Sequence, residues 1–257
     1  MSQRWSSFMR PWGFISVAIP AHWKAFKEAY NRNGISAIFR INQIRDAAVA
    51  SVLSAASKNF IAFEDTTTVP SLVGASQGTI LELGPGPGNQ IHNYDPVAVD
   101  FIYAIDPNPR FASDINTKLN QHVALKDKYK FIACGIEDSD VLREEGIDEG
   151  SLDTITSIQV LCAVDDVTNV MKEIYKLLKP GGRFIFWEHG KSKDTITGMM
   201  QAFWNPYWNH FVGCRLTRDV KADILAAGEW ENVDEIKEAN DPYGMLPRLE
   251  GVLIKKR

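Results

Sequence analysis

A glycine-rich loop is the segment whose residue types point most directly to chemistry. The apolar run at 79–83 predicts a short strand that delivers the chain to Gly84, Gly86 and Gly88. Glycines let the backbone approach a ligand closely at the start of a helix. The spacing is GxGxG, with Asn89 where a dinucleotide fingerprint has its third glycine, and no Gly-Lys-Ser/Thr follows. The loop is therefore neither a dinucleotide fingerprint nor a P-loop.

Carboxylates accompany three successive predicted strands. Glu82 lies just before the glycine loop, where it suits a cationic ligand better than a phosphate, and Asp106 ends the second strand, where a carboxylate can accept both hydroxyls of a ribose. After the third strand, Ile136 can flank an adenine and Glu137 can accept a hydrogen bond from its amino group. Each acid alone also fits a helix cap or a solvated loop. Their shared order favours an adenosine with a positively charged tail, and the sequence thus predicts S-adenosylmethionine as cofactor.

Three strings in this order resemble the motifs of the class I S-adenosylmethionine-dependent methyltransferases. They are the glycine loop, the string Ile105–Asn108 and the turn Leu178–Gly182, and the resemblance covers about residues 75–255. Within that family, the strings at 106–109 (DPNP), 188–189 (EH) and 213–218 (GCRLTR) resemble the animal methyltransferase-like-seven group, which methylates small thiols. The chain differs from that group in the prolines at 85 and 87, and we expect no membrane-anchoring N-terminus of that group's kind.

The resemblance implies a set of cofactor contacts. Carried over by position, they are Glu82, Gly84, Gly86, Gly88, Asp106, Pro107, Asn108, Ile136, Glu137, Gln159 and Val160. Asp106 is expected to hold the ribose hydroxyls, and Ile136 with Glu137 is expected to contact the adenine. Gln159 and Val160, just beyond the fourth predicted strand, are expected near the sulfonium.

His189 is the candidate catalytic base, because it follows the fifth predicted strand and because histidine is the side chain best suited to general-base catalysis near neutral pH. The competing interpretation is a core histidine bonded to backbone. Methyl transfer needs mainly positioning and exclusion of water, and a thiol with a pKa of about 8.5 needs little help from a base. Residues 157–160 lack the Asn/Asp-Pro-Pro-aromatic string typical of enzymes that methylate nucleobase or glutamine amines. Those acceptors are therefore disfavoured.

Aromatic residues near the N-terminus and after the fifth strand predict an apolar substrate pocket. Its predicted members are Trp12, Trp187, Trp204, Trp208 and His210. Aromatics at helical spacing more often belong to a core, which is the competing interpretation. The segment 1–35, interrupted by Pro11 and Pro20, predicts one or two short amphipathic helices. These helices pack onto the core, close over the site as a lid, or lie on a membrane surface.

The elements predicted along the chain give an α/β fold: a doubly wound, Rossmann-like, mostly parallel seven-stranded sheet with an N-terminal helical cap. Strands are predicted at 79–83, 101–105, 130–133, 154–158, 183–187, about 230–238 and about 248–255. Helices are predicted at 36–58 and at about 109–124, 166–178 and 217–227. We expect two parts, a cap or lid at 1–60 and a cofactor-binding domain at 61–257.

The composition narrows the class of protein. The chain has 257 residues and a formal net charge of -4, which argues against a nucleic-acid partner. Its three cysteines are widely spaced, so the spacing predicts no metal site and no disulfide framework. No apolar run reaches the roughly 20 residues of a membrane span. We expect a cytoplasmic protein with a small-molecule partner.

These observations predict a methyltransferase that moves a methyl group to a sulfur, oxygen or nitrogen atom. The acceptor is expected to be a small, largely apolar molecule such as a specialised natural product or a thiol. The alternative is a methyltransferase-fold protein that binds S-adenosylmethionine without methylating, as a cyclase or a regulatory subunit.

Overall fold

A mostly parallel sheet organises residues 2–257, the part of the chain that the computed structural model describes. Its strands are β1 (Gly78–Leu83), β2 (Val99–Ile105), β3 (Tyr129–Ile132), β4 (Leu152–Ile158), β5 (Leu178–His189), β6 (Lys237–Glu238) and β7 (Arg248–Ile254). They lie in the order β3-β2-β1-β4-β5-β7-β6. The strand β7 is antiparallel to β5 and to β6, and the other neighbours are parallel. This topology confirms the predicted doubly wound α/β fold with seven strands.

Helices cover both faces of the sheet and extend before it. They are α1 (Ser2–Asn33), α2 (Ile41–Glu64), α3 (Val69–Gly74), α4 (Ala112–Leu119), α5 (Val123–Lys126), α6 (Ser139–Glu144), α7 (Val167–Leu177), α8 (Thr195–Val212) and α9 (Val220–Ala226). Successive residues of β1 show why the central strands are apolar. Ile80 packs in one buried cluster with Ile102, whereas Leu81 packs in another with Ile155. A parallel strand buried on both faces needs an apolar residue at nearly every position.

The first helix differs from the prediction of one or two short helices. Residues 2–33 form one continuous helix that contains both Pro11 and Pro20. A proline inside a helix removes one backbone hydrogen bond and favours a helix end. Tertiary packing outweighs this preference here, because α1 lies against α2 and α8. The residues that it buries include Ile15, Ala18, Ala25 and Ala29.

Other observed element boundaries also differ from the predicted ones. The helix predicted at 36–58 is α2, which continues to Glu64, so the predicted boundary between a cap at 1–60 and a domain at 61–257 falls inside a helix. That division stays a prediction. The strand β5 begins at Leu178, five residues early, because Leu178 pairs with Leu152 ahead of a register shift. The strand expected at 230–238 is reduced to one bridge at Trp230, a 3-10 turn and the two residues of β6.

Candidate active site

The glycine loop after β1 has the backbone that its sequence requires. Gly84, Gly86 and Gly88 have φ angles of 52°, 51° and 76°, in the left-handed region that favours glycine. A Cβ on Gly84 would lie 2.9 Å from Val160, and a Cβ on Gly88 would lie 2.7 Å from Ile91. A Cβ on Gly86 would meet nothing within 4 Å. Gly86 is therefore the glycine that borders open space.

Asp106 lies beside this open space, directly after β2. Its Oδ1 accepts a hydrogen bond from the backbone N–H of Asn108 at 2.9 Å, and its Oδ2 accepts one from the backbone N–H of Gly86 at 3.3 Å. Burial raises the pKa of the Asp106 carboxyl to about 6, although both backbone donors favour the charged form. Each oxygen keeps a lone pair free. The carboxylate is thus held in place with capacity to accept the two hydroxyls of a ribose.

The remaining residues of the predicted adenosine site follow β2 and β3. Pro107 is exposed, and the side chain of Asn108 donates a hydrogen bond to the backbone carbonyl of Asp46 in α2 at 3.0 Å. Ile136 is buried, whereas Glu137 is exposed and close to Gly135. Through Asn108, helix α2 contacts the edge of the site.

Glu82 lies inside the protein beneath the loop. It is 3% exposed, and its carboxylate accepts a hydrogen bond from the hydroxyl of Tyr129 in β3 at 2.7 Å. Burial raises the pKa of Glu82 to about 7, against the opposing effect of the Tyr129 and Tyr94 hydroxyls. The structure places this acid among tyrosines, on the interior side of the strand that carries the loop.

The turn after β4 holds the two residues predicted near the sulfonium. Gln159 has a φ of 62°, and it is the one non-glycine residue in the left-handed region between residues 2 and 257. Such backbone strain is common at ligand sites and needs surrounding structure to maintain it. The backbone N–H of Gln159 donates to the carbonyl of Trp187, and the Val160 side chain fills the space next to Gly84. The β4 turn and the glycine loop are therefore in direct contact.

Glu64 is a residue of this region that the sequence does not single out, because it lies beyond the helix predicted at 36–58. It is the last residue of α2 and is 3% exposed. Its Oε1 accepts a hydrogen bond from the Gln159 side chain at 2.7 Å, and its Oε2 accepts one from Gln90 at 2.8 Å. Burial raises its pKa. The only sequence signal was an acid directly after the apolar run Phe60–Phe63.

Buried polar atoms without a partner in residues 2–257 lie where β5 and β7 meet, on Glu188, Arg248 and His189. Glu188 is fully buried, and its Oε1 accepts hydrogen bonds from the backbone of Val160 at 2.9 Å and Leu161 at 3.1 Å. Its Oε2 has no hydrogen-bond partner among the described residues, and neither has Nη1 of Arg248. The Arg248 guanidinium lies over the Trp187 ring, 3.9 Å from its centre. Buried polar groups are normally paired, so these two atoms have the capacity to bind a ligand or a water molecule.

His189 is buried rather than open to a pocket. It is 3% exposed, and its Nε2 lies 3.5 Å from Sγ of Cys214. Its Nδ1 has no partner within residues 2–257. In this arrangement the imidazole faces a cysteine, and its role as a catalytic base stays a prediction.

The five residues predicted for the substrate pocket lie in four places. Trp204 and Trp208 belong to a buried cluster with Ile15, and Trp187 lies under Arg248. Trp12 is half exposed on α1. His210 lines a groove of about 400 Å³ between α1, α2 and α8, together with Ile19, His22, Trp23, Phe26 and Phe211. The structure does not bring the five side chains into one cavity.

The residues of this region fit S-adenosylmethionine. The space beside Gly86 is open, and the Asp106 carboxylate next to it can accept the ribose hydroxyls of the cofactor's adenosine. Glu188, which has one oxygen without a partner in residues 2–257, accepts a hydrogen bond from the backbone N–H of Val160, the residue that contacts Gly84. When bound, the cofactor supplies a methyl group activated by a sulfonium.

Comparison with known proteins agrees with this chemistry. Residues 56–230 match the family model described as methyltransferase domain. The chain is 31% identical over 182 residues to thiol S-methyltransferase TMT1B of Rattus norvegicus, an alignment that covers 70% of each protein. It is 32% identical over 161 residues to the TMT1B of Homo sapiens, covering 61% of this chain and 62% of that protein.

Solved structures show the same fold. An O-methyltransferase family protein from Burkholderia thailandensis superposes with a TM-score of 0.60 at 14% sequence identity, covering 93% of this chain and 71% of that one. Identity this low bears on the fold alone. Within residues 2–257, no helix is both long and apolar enough to cross a membrane.

The sheet order, with a glycine loop after β1 and an acid after β2, defines a class I methyltransferase. The chain belongs to the methyltransferase-domain family. It is an S-adenosylmethionine-dependent methyltransferase.

Proposed function

We propose that the acceptor atom is the sulfur of a small, largely apolar thiol. The observation that carries this proposal is the 31% identity to a thiol S-methyltransferase over 70% of the chain. Site chemistry supports it. A thiol needs little help in losing its proton, because its pKa is about 8.5, whereas a phenol or an amide needs a well-placed base. His189, the base predicted after β5, faces Cys214 instead of an open pocket.

The acceptor enters, on this proposal, through the groove between α1, α2 and α8. Its volume of about 400 Å³ suits a small ligand. The walls are mostly apolar, with Ile19, Trp23 and Phe26 on α1 and Phe211 on α8. Helix α2 joins this groove to the cofactor region, since the Asp46 carbonyl accepts a hydrogen bond from Asn108. The N-terminal helices then act as a lid that excludes water from the reaction.

The residue roles follow the same proposal. Asp106 holds the ribose hydroxyls, Ile136 and Glu137 contact the adenine, and Gln159 with Val160 borders the reacting methyl. A cytoplasmic location and a place in specialised metabolism are also proposals. No feature of residues 2–257 favours the alternative of a cofactor-binding protein that does not methylate.

The test is a methyl-transfer assay with a panel of apolar thiols, phenols, carboxylic acids and amides. We expect S-adenosylhomocysteine to form together with the S-methyl product of a thiol, as identified by mass spectrometry. Asp106→Ala serves as the cofactor-site control and should lose turnover. Turnover on phenols, acids or amides without turnover on any thiol would contradict the proposed acceptor.

A further inference from the structure

Three soft ligand atoms converge beside the end of the sheet. Sγ of Cys162, Nε2 of His189 and Sγ of Cys214 all lie within 4.8 Å of one another. The distance from Nε2 of His189 to Sγ of Cys214 is 3.5 Å. In a tetrahedral zinc site, with Zn–S near 2.3 Å and Zn–N near 2.0–2.1 Å, neighbouring nitrogen and sulfur ligands are about 3.5 Å apart. We propose that these three residues bind one Zn²⁺ ion.

The spacing along the chain hid this group from the sequence analysis, which expected no metal site. The three residues are 27 and 25 positions apart and belong to different elements. Cys162 follows β4, His189 ends β5, and Cys214 follows α8. The backbone joins two of these segments directly, because the N–H of Arg215 donates to the carbonyl of Cys162 at 2.9 Å. The three ligand atoms are thus held together by the fold before any ion binds.

The hydrogen bonding of the group also indicates a ligand. His189 is 3% exposed, yet its Nδ1 has no partner and its Nε2 faces only sulfur among the described residues. A buried imidazole normally forms ordinary hydrogen bonds. The indole N–H of Trp208 donates to Sγ of Cys214 at 2.8 Å. Donors of this kind hold metal-bound thiolates in place and tune the metal.

The charges of the three side chains favour the binding of a divalent ion. Before the acceptor binds, two cysteine thiolates and one neutral histidine around Zn²⁺ form a complex with no net charge. The acceptor thiolate then adds one negative charge, which the nearby Arg248 guanidinium offsets. A neutral complex is the form that a buried site tolerates best. Thiolate and imidazole ligands select zinc rather than magnesium or calcium, which prefer oxygen.

The proposed site has three protein ligands. No fourth histidine, cysteine, aspartate or glutamate joins the group in the part of the chain that the structure describes. Sites of this kind keep a fourth position for water or substrate. Cys162 is two residues beyond Val160, which contacts Gly84 of the cofactor loop. We assign the fourth position to the acceptor sulfur, which loses its proton to solvent as it binds. This assignment rests on the proposed thiol acceptor.

The first experiment measures zinc in the full-length protein, purified with reductant and without chelator. We expect about one zinc per chain, as for a three-ligand site. Cys162→Ala and Cys214→Ala should each weaken zinc binding by more than about 100-fold, because losing an outer partner alone costs about 10–100-fold. Cys134→Ala is the matched control, since Cys134 is also a buried free cysteine but lies outside the group. Circular dichroism checks that each variant is folded.

The second experiment replaces zinc by Co²⁺ and records thiolate-to-cobalt charge transfer. The band should weaken in Cys162→Ala and Cys214→Ala, persist in Cys134→Ala, and change when an acceptor thiol is added. Reduced wild-type protein that binds no zinc or cobalt would overturn the inference, and so would a Cys162–Cys214 disulfide as the resting state. The two proposals can be distinguished. A protein that binds the metal but methylates no thiol would support the metal site and contradict the thiol acceptor.

Discussion

Gln159 and Glu64 join the N-terminal helices to the reacting end of the sheet. The side-chain amide of Gln159, in the strained turn after β4, donates a 2.7 Å hydrogen bond to Oε1 of Glu64, the last residue of α2. The second Glu64 oxygen accepts from Gln90, just after the glycine loop. One buried carboxylate therefore fixes α2, the cofactor loop and the β4 turn relative to one another.

Glu64→Ala should loosen this connection and weaken cofactor binding. The buried carboxylate accepts two hydrogen bonds, and a hydrogen bond to a charged group contributes about 1.5–3 kcal/mol. We expect a rise of at least about tenfold in the Kd for S-adenosylmethionine, measured by calorimetry. Asp65→Ala is the control, because Asp65 is the exposed neighbour and its side chain pairs with His92, away from Gln159 and Gln90. Equal affinity in both variants would show that Glu64 is not part of the site.

Gly86→Ala should abolish tight cofactor binding without unfolding the protein. An alanine there has a strained φ of 51°, which costs about 1–2 kcal/mol, but its Cβ meets no protein atom within 4 Å. The added methyl group instead enters the space assigned to the cofactor. Gly146→Ala carries a similar strain at φ 79° in open space between α6 and β4, and should lose stability without losing affinity. Similar affinity losses in the two variants would contradict this position for the cofactor.

Cofactor binding should weaken as the pH falls below about 6. The pKa of Asp106 is raised to about 6 by burial, and the ionised form is the one that accepts the ribose hydroxyls. The Kd should rise about tenfold per pH unit well below that value. Asp106→Asn should remove this part of the pH dependence and bind about 1–3 kcal/mol more weakly at pH 8. Calorimetry at pH 5, 6.5 and 8 tests both, and an unchanged profile in the variant would refute the ribose assignment.

Glu82→Gln should stabilise the cofactor-free protein at high pH. The folded pKa of about 7 lies above the ordinary value of 4.5, so the stabilising protonated form is complete below pH 4.5 and is lost as the pH rises through 7. We expect Glu82→Gln to raise the free energy of unfolding by at most about 3 kcal/mol at pH 8 and by little at pH 4.5. Urea unfolding at the two pH values measures it. Equal gains at both would mean that burial of the charge is not the cause.

The cofactor half of the site was accessible from sequence because local chemistry determines it. Gly84, Gly86 and Gly88 adopt backbone angles that few other residues tolerate, and Asp106 follows a largely apolar strand. The same reasoning predicted the ends of strands β1 to β4 to within two residues. Parallel pairing then brings their carboxyl ends together.

The remaining features depend on contacts between distant segments. Packing against α2 and α8 keeps α1 helical through Pro11 and Pro20, although local preference predicts a break. Glu64 contacts Gln159, and Cys162 contacts Cys214, only because the fold brings separate elements together. No spacing within one segment encodes such neighbours, so the sequence alone singled out neither Glu64 nor a metal site.

The most direct test of the account is methyl transfer to a thiol, measured in the same samples as S-adenosylmethionine binding. We expect calorimetric binding of the cofactor and equal amounts of S-adenosylhomocysteine and S-methyl product. Cofactor binding with turnover only on phenols, carboxylic acids or amides would contradict the thiol acceptor. Failure to bind S-adenosylmethionine at all would contradict the assignment of the chain as an S-adenosylmethionine-dependent methyltransferase.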